Sequence, residues 1–156
     1  MNSDDKKIFI GIDVSKATLD ISISGKHFKI ENTLKSISAF IKAEILLSKE
    51  RIGLICLEST GGYEMLAYQM MQASGLKVHR AHPNKVHSFG KASGAFAKTD
   101  KLDARLLEKY AEFAFDTNGE IGDEVISEST LLLQSLRGIE RDLMDALHPI
   151  NAGFSI

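Results

Sequence analysis

The pattern of apolar and polar residues at the start of the chain predicts a buried strand followed by a hairpin. Residues 7–14 form an isoleucine-rich apolar run, which is typical of a central strand covered on both faces. Residues 18–24 alternate strictly between polar and apolar side chains, as a half-buried strand does. A tight turn at Gly25 and Lys26 leads into a third strand at 27–30, so we expect an antiparallel hairpin beside the central strand.

The rest of the pattern predicts alternating helices and strands. The expected elements are a helix over 34–48, a strand over 51–57, a helix that Gly61 and Gly62 open and Gly75 closes, a strand over 76–80, and a helix from residue 100 or 101 to 115. Residues 81–99 show no sustained period and are predicted to form a loop. This order implies an α/β fold in which helices flank a mixed five-stranded sheet, because crossover helices join parallel strands.

The last quarter of the chain has a different character. The segment 116–128 is acidic and contains glycine, which predicts a linker. Residues 129–147 place apolar side chains at spacings of four and three, which predicts a short coiled-coil-like helix. That helix packs either on the domain or on a second chain, and the linker favours a homodimer. Residues 148–156 have no period and are expected to fray.

Composition limits the class of protein. Cys56 is the one cysteine, which excludes an intramolecular disulfide and a multi-cysteine zinc site, and its apolar neighbours predict an inert buried thiol. The N-terminus lacks the basic region of a signal peptide, and no stretch reaches about 18 apolar residues. We therefore expect a cytoplasmic protein that does not associate with membranes.

Charge is unevenly distributed along the chain. The formal net charge is −2, yet residues 77–109 contain eight Lys or Arg residues and only three acidic ones. A locally basic stretch is typical of phosphate contact, and an ordinary solvated surface is the alternative. The predicted nucleic-acid-binding residues in this stretch are Lys85, Lys91, Lys98, Lys101 and Arg105.

Four acidic residues lie where the predicted fold could bring them together. Asp13 ends the first strand and Glu58 ends the fourth, and the carboxyl ends of adjacent parallel strands meet at one edge of a sheet. Asp100 and Asp103 are three residues apart, which places them on one helical face or at the cap and first turn of a helix. Each acid alone has an ordinary alternative, such as a helix cap or an ion pair with a lysine.

The joint placement of the four acids predicts a metal site. A carboxylate at the end of a buried strand is costly unless something compensates its charge. Several such groups would concentrate negative charge that a cation can hold, and oxygen ligands in that number suit Mg²⁺ or Mn²⁺. Two such ions about 3.5–4 Å apart can activate an attacking oxygen and stabilise a leaving oxygen of a phosphodiester.

The same acids lie in sequence blocks that resemble a known family. The blocks are F-I-G-I-D-V-S-K (9–16), L-E-S-T-G-G-Y (57–63), H-P-N-K-V (82–86) and A-K-T-D-K-L-D-A-R (97–105). In order and spacing they resemble the DEDD-type transposases of the IS-one-ten family and the related Piv-type DNA invertases. The resemblance implies an RNase H-like (RuvC-like) catalytic domain over residues 1–115, with Asp13, Glu58, Asp100 and Asp103 as catalytic metal ligands.

The resemblance also sets the expected function. Members cut and rejoin DNA, so we expect metal-dependent phosphodiester cleavage and strand transfer, with DNA and possible guide RNA as partners. Members continue into a second domain that carries a serine, whereas this sequence stops at Ile156, so we do not expect complete recombination from this chain alone. Two alternatives stay open. One is a truncated fragment that binds DNA or dimerises without catalysis. The other is a nucleotide-binding protein of the actin and sugar-kinase type, whose first phosphate loop would want a glycine where Val14 stands.

Overall fold

A computed structural model describes residues 5–94, 103–118, 136–137 and 139–147. These residues fall into two compact units, one within Met1–Glu124 and one within Val125–Ile156, and each is described by itself. Among the described residues, no helix is long and apolar enough to cross a membrane.

The first unit contains the predicted mixed sheet. Its strands are β1 (Ile8–Val14), β2 (Thr18–Ile23), β3 (Lys26–Glu31), β4 (Ile52–Glu58) and β5 (Val78–Ala81). Their spatial order is β3-β2-β1-β4-β5. The two pairings within β1, β2 and β3 are antiparallel, and β4 is parallel to both β1 and β5. The predicted α/β fold with five strands is therefore confirmed, with β1 at its centre.

The hairpin turn lies one residue earlier than the sequence suggested. Ser24 and Gly25 have φ angles of 50° and 80°, and a two-residue turn with positive φ at both positions matches the twist of the strands. Lys26, predicted to be part of the turn, is already the first residue of β3.

Helices cover both faces of the sheet. They are α1 (Leu34–Phe40), α2 (Met65–Ala73), α3 (Pro83–Ala92) and α4 (Ala104–Asn118). Helix α1 continues through a π-helical turn at Ile41–Ile45 and a 3₁₀ turn at Leu46–Arg51 before β4 begins. Helices α1 and α2 lie on the face of Phe28 and Arg80, since the Phe40 ring centroid is 5.3 Å from that of Phe28 and the Arg80 guanidinium lies 5.8 Å from the centre of the Tyr68 ring.

Helix α3 occupies part of the segment predicted as a loop. The prediction over 81–99 is wrong for residues 83–92. Pro83 is at the first helical position, and the His82 ring accepts a hydrogen bond from the Asn84 N–H at 3.2 Å, so the helix begins on an unusual cap. Val86 and Gly90 form its buried side at helical spacing. The short length and the glycine within the helix concealed that spacing.

Helix α4 covers the opposite face and runs antiparallel to β1. Gly11 is in close contact with its first turn, because a Cβ there would lie 2.0 Å from the Ala104 carbonyl oxygen. Near the other end, the Phe115 and Phe9 ring centroids are 5.4 Å apart. Cys56 belongs to the core under this helix, as a free buried thiol whose pKa is raised by burial. Helix α4 extends three residues past the predicted end at Phe115, into the predicted linker.

The second unit contains helical residues within the predicted coiled-coil-like segment. Residues 136–137 and 139–147 are helical. Their exposed apolar residues are Leu136, Ile139, Leu143, Met144 and Leu147. The spacing of these apolar residues agrees with the predicted helix, while the pairing of this helix in a coiled coil stays a prediction. The rest of the predicted linker (119–128), the start of the predicted helix (129–135) and the predicted frayed tail (148–156) lie outside the described residues.

Candidate metal centre

Asp13 and Glu58 lie side by side at the carboxyl edge of the sheet. In the parallel pairing of β1 and β4, Ile12 is opposite Leu57, and the two acids come one residue further along each strand. Because successive side chains of a strand alternate between faces, both carboxylates belong to the same face of the sheet. That is the face that α4 covers, since Gly11 lies two residues before Asp13. The structure thus brings these two predicted site residues together.

The charges at this edge act on each other. The pKa of Glu58 is raised, first by partial burial and then by the negative charges of Asp13 and Glu64. A raised pKa means that the ionised form of Glu58 is less stable here than in water. A cation at this edge would stabilise the ionised form, so the pair fits a hard divalent ion by its ligand type and by its excess of negative charge.

Asp103 caps the helix that begins beside this edge. Its Oδ1 atom accepts a hydrogen bond from the Leu106 N–H at 2.7 Å, and its carbonyl accepts one from the Leu107 N–H at 3.1 Å. Asp103 therefore precedes the first turn as a helix cap, one of the readings that the sequence left open, and its placement relative to Asp100 stays a prediction. The contact between Ala104 and Gly11 places this cap near the carboxyl end of β1.

The described part of the centre is a pair of acids with a third acid on the neighbouring helix cap. Asp100, Lys98 and Lys101 lie outside the described residues. Within the described ranges, no three His, Cys, Asp or Glu side chains are close enough together to hold a metal ion. An ionised carboxylate can accept at about four positions, so the capping bond of Asp103 leaves it able to bind a cation as well.

Glu64 is a residue of this region that the sequence did not reveal. Its side chain is fully buried, with 0% exposure, and forms an ion pair with Arg80 at 2.6 Å. Burial alone would raise its pKa, but hydrogen bonds from its own N–H, Arg80, Gly62 and Thr60 leave the pKa lowered. The available signal was Arg80 itself, since an arginine inside a short buried strand needs a partner.

Asn32 is a second residue that the sequence did not reveal. Its Nδ2 atom donates to the carbonyl of Ser15 at 3.0 Å and to the carbonyl of Tyr63 at 3.0 Å. These carbonyls belong to the loops that follow β1 and β4, so one side chain joins the segments that leave Asp13 and Glu58. No sequence pattern marks an asparagine for such a role.

Three of the five predicted nucleic-acid-binding residues are described, and two of them lie at helix starts. Lys85 lies in the first turn of α3, directly after β5, and Arg105 is the second residue of α4. Lys91 is six residues beyond Lys85, which corresponds to about 9 Å along the helix axis. All three side chains are exposed to solvent.

Replacing Glu58 with glutamine is expected to stabilise the metal-free protein near neutral pH. Because its pKa is raised in the folded state, the folded protein binds more protons than the unfolded chain between the two pKa values, and stability falls as the pH rises through them. The glutamine side chain is neutral, so the variant does not lose stability in this way as the pH rises. Urea unfolding at about pH 7 and about pH 3.5 measures the effect. A gain of equal size at both pH values would contradict the electrostatic origin, since protonated Glu58 carries no charge in acid.

The fold defines the class of this protein, and a match to a family profile defines its family. The sheet with its acidic carboxyl edge is an α/β RNase H-like fold. Residues 10–148 match the profile of the DEDD transposase family of the IS-one-ten type, described as a transposase, and the chain belongs to this family. The resemblance seen in the sequence is confirmed, and the nucleotide-binding alternative is left without support. DEDD transposases generally use divalent metal ions.

A curated relative agrees with this family. The chain is 30% identical over 115 residues to the pilin gene-inverting protein of Moraxella lacunata. The alignment covers 67% of this chain and 34% of the relative. The chain thus spans about a third of the length of that protein.

Proposed function

We propose that the first compact unit is the catalytic domain of a DNA transposase or invertase that cleaves and rejoins phosphodiester bonds with a divalent metal ion. The observation that supports this most is the adjacency of Asp13 and Glu58 at the carboxyl edge, beside the capped start of α4. The name of the relative describes gene inversion, a reaction that requires DNA strands to be cut and rejoined. The domain would then comprise residues 1–115 together with the end of α4.

In this proposal four acids hold Mg²⁺ or Mn²⁺. They are Asp13, Glu58, Asp100 and Asp103. When bound, the ion would polarise a phosphodiester and stabilise the charge that develops on its oxygens. The protein's own contribution is to orient the carboxylates at one edge of a rigid sheet, where a bound metal would offset the burial and the neighbouring negative charges that raise the pKa of Glu58.

Addition of Mn²⁺ is expected to raise the melting temperature of this chain at about pH 7.5. A ligand that binds only the folded state adds RT ln(1 + [L]/Kd) to its stability, or about 2.7 kcal/mol at a concentration of 100 Kd. The shift should be reversed by EDTA and should shrink at about pH 4.5, because the raised pKa of Glu58 leaves this ligand largely protonated there. Differential scanning calorimetry measures it. An absent shift at millimolar Mn²⁺ and neutral pH would overturn the proposed centre.

We propose that DNA phosphates bind basic residues of the stretch 77–109, namely Lys85, Lys91, Lys98, Lys101 and Arg105. Lys85 and Arg105 are supported best, because their helices begin at the carboxyl edge. The same surface would serve a guide RNA, since both nucleic acids present phosphates.

We also propose that helix 139–147 pairs with a second copy of the chain, and its exposed apolar stripe supports that.

Replacing Lys85 with alanine is expected to weaken DNA binding and its salt dependence. Each phosphate contact contributes about −0.9 to the slope of log affinity against log salt on duplex DNA. The loss of one contact should flatten the slope by about that amount while leaving the Mn²⁺ shift unchanged. Fluorescence anisotropy on duplex and junction DNA at several salt concentrations measures it. The matched control is Lys26→Ala, because Lys26 is also exposed but starts β3 at the amino edge of the sheet. An equal loss in both variants would show that binding depends on total charge and not on this surface.

A further inference from the structure

We propose that Glu64, Arg80 and Asn32 are positioning residues of the metal centre. They hold the backbone segments that follow Asp13 and Glu58, and they act through those segments without binding the metal themselves. The inference rests on the proposed metal-dependent function, because it assigns these residues to the geometry of that site.

The side chain of Glu64 binds the backbone segment that follows Glu58. Its Oε2 atom accepts hydrogen bonds from the Thr60 N–H at 3.2 Å, the Thr60 hydroxyl at 3.0 Å and the Gly62 N–H at 2.9 Å. A fully buried carboxylate is costly unless its oxygens are paired, so these bonds hold the segment tightly on the carboxylate. The backbone two and four residues after Glu58 is thus fixed from the interior.

Arg80 connects the same carboxylate to the next strand. Its Nη2 atom donates to Oε1 of Glu64 at 2.6 Å and to the hydroxyl of Ser59 at 3.3 Å. The Ser59 N–H donates to the carbonyl of Ala81 in β5 at 3.1 Å. The residue directly after Glu58 is therefore bound twice to β5.

The two glycines of the segment permit this arrangement. Gly61 and Gly62 have φ angles of 77° and 127°, in the region that side chains rarely adopt. These angles turn the chain so that the N–H groups of Thr60 and Gly62 both reach Glu64. The sequence T-G-G-Y-E therefore encodes a backbone shape that brings these N–H groups to Glu64.

Asn32 joins this segment to the loop after Asp13. The two N–H bonds of its amide reach Ser15 on one side and Tyr63 on the other, which uses the full donor capacity of the group. Its own backbone N–H donates to the carbonyl of Ala17 at 2.9 Å. The β1–β4 register sets the separation of the two acids within the sheet. Asn32 sets the separation of the two segments that follow them.

Stability alone does not account for a buried ion pair at this place. Apolar residues of similar volume often stabilise a core as well as a buried ion pair does. The pair does something that apolar residues cannot, because it binds the N–H groups and hydroxyls that follow Glu58. Residues that orient metal ligands typically change metal affinity 10- to 100-fold when they are replaced.

The test measures Mn²⁺ affinity by isothermal titration calorimetry and amide hydrogen exchange in the metal-free chain. Glu64→Gln is expected to weaken Mn²⁺ binding by at least about tenfold and to speed exchange at Thr60 and Gly62. Arg80→Gln should act in the same direction, and Arg80→Lys should recover part of the affinity by restoring the charge. The control is Met71→Ala, which removes a fully buried side chain of α2 seven residues beyond Glu64 and should destabilise the fold.

The outcomes separate the two proposals. If the wild-type chain binds no Mn²⁺, the proposed function is overturned and this inference with it. If the wild-type chain binds Mn²⁺ and Glu64→Gln binds it equally well, the positioning role alone is wrong. The same conclusion follows if Met71→Ala weakens Mn²⁺ binding as much as Glu64→Gln does. Should Glu64→Gln fail to fold, Asn32→Ala replaces it in the same comparison, because Asn32 is only half-buried.

Discussion

Replacing Gly11 with alanine is expected to destabilise the protein by about 3 kcal/mol or more, at the upper end of the range for overpacked cores. An added Cβ would lie 2.0 Å from the Ala104 carbonyl oxygen and 2.2 Å from the Glu108 nitrogen. Both are backbone atoms, so the clash is relieved only if α4 moves away from β1. Urea unfolding of the two proteins measures the difference.

A neighbouring glycine supplies the control for this substitution. A Cβ at Gly53 in β4 would lie 2.7 Å from an atom of the Phe9 side chain, which can rotate aside more easily than a helix can shift. Gly53→Ala should therefore cost less. Movement of α4 would also displace the Asp103 cap, so Gly11→Ala should weaken Mn²⁺ binding and Gly53→Ala should not. Equal costs for the two variants would contradict the close approach of α4 to Gly11.

Replacing Asp13 with asparagine is expected to abolish the Mn²⁺ shift of this chain and, in a longer family member, to lower strand transfer by about a hundredfold or more. A catalytic metal contributes several kcal/mol to the transition state, and each 1.4 kcal/mol is a factor of ten in rate. The metal-free fold should keep its stability or gain slightly, because the substitution removes a charge that raises the pKa of Glu58. Calorimetry and a recombination assay measure the two effects.

Asp20 provides a matched control for Asp13. It stands opposite Asp13 in the antiparallel β1–β2 pairing, on the same face of the sheet, and its carboxylate contacts His27 at 3.3 Å. Asp20→Asn removes the same charge from nearly the same place, yet should leave Mn²⁺ binding and strand transfer close to wild type. If both variants lose activity equally, the edge acts through its total charge and Asp13 is not a specific ligand.

The parts of the site that the sequence predicted are those that depend on strand ends. Apolar runs mark where β1 and β4 stop, and parallel pairing of neighbouring strands then brings Asp13 and Glu58 together. The direct pairing of β1 with β4 required the structure, although the crossover pattern favoured it.

The parts that the sequence missed depend on geometry between distant residues. The role of Glu64 depends on its ion pair with Arg80, which is 16 residues further along the chain. It also depends on the shape of a loop that two glycines set. Helix α3 starts on a histidine, which is an uncommon cap, so the sequence pattern favours a loop there. The role of Asp103 was open between cap and helix face, and only the bond to Leu106 decides it.

The direction of α4 limits which later residues can reach the acids. The helix has 15 residues and spans about 22 Å, and it carries the chain from the acidic edge to the opposite edge, where Phe115 meets Phe9. Any residue beyond Asn118 that joins the chemistry in cis needs a return tether of at least about seven extended residues. A residue of a second copy acting in trans has no such requirement. Tether length after α4 therefore sets a lower limit for any family member of this architecture that completes its site within one polypeptide.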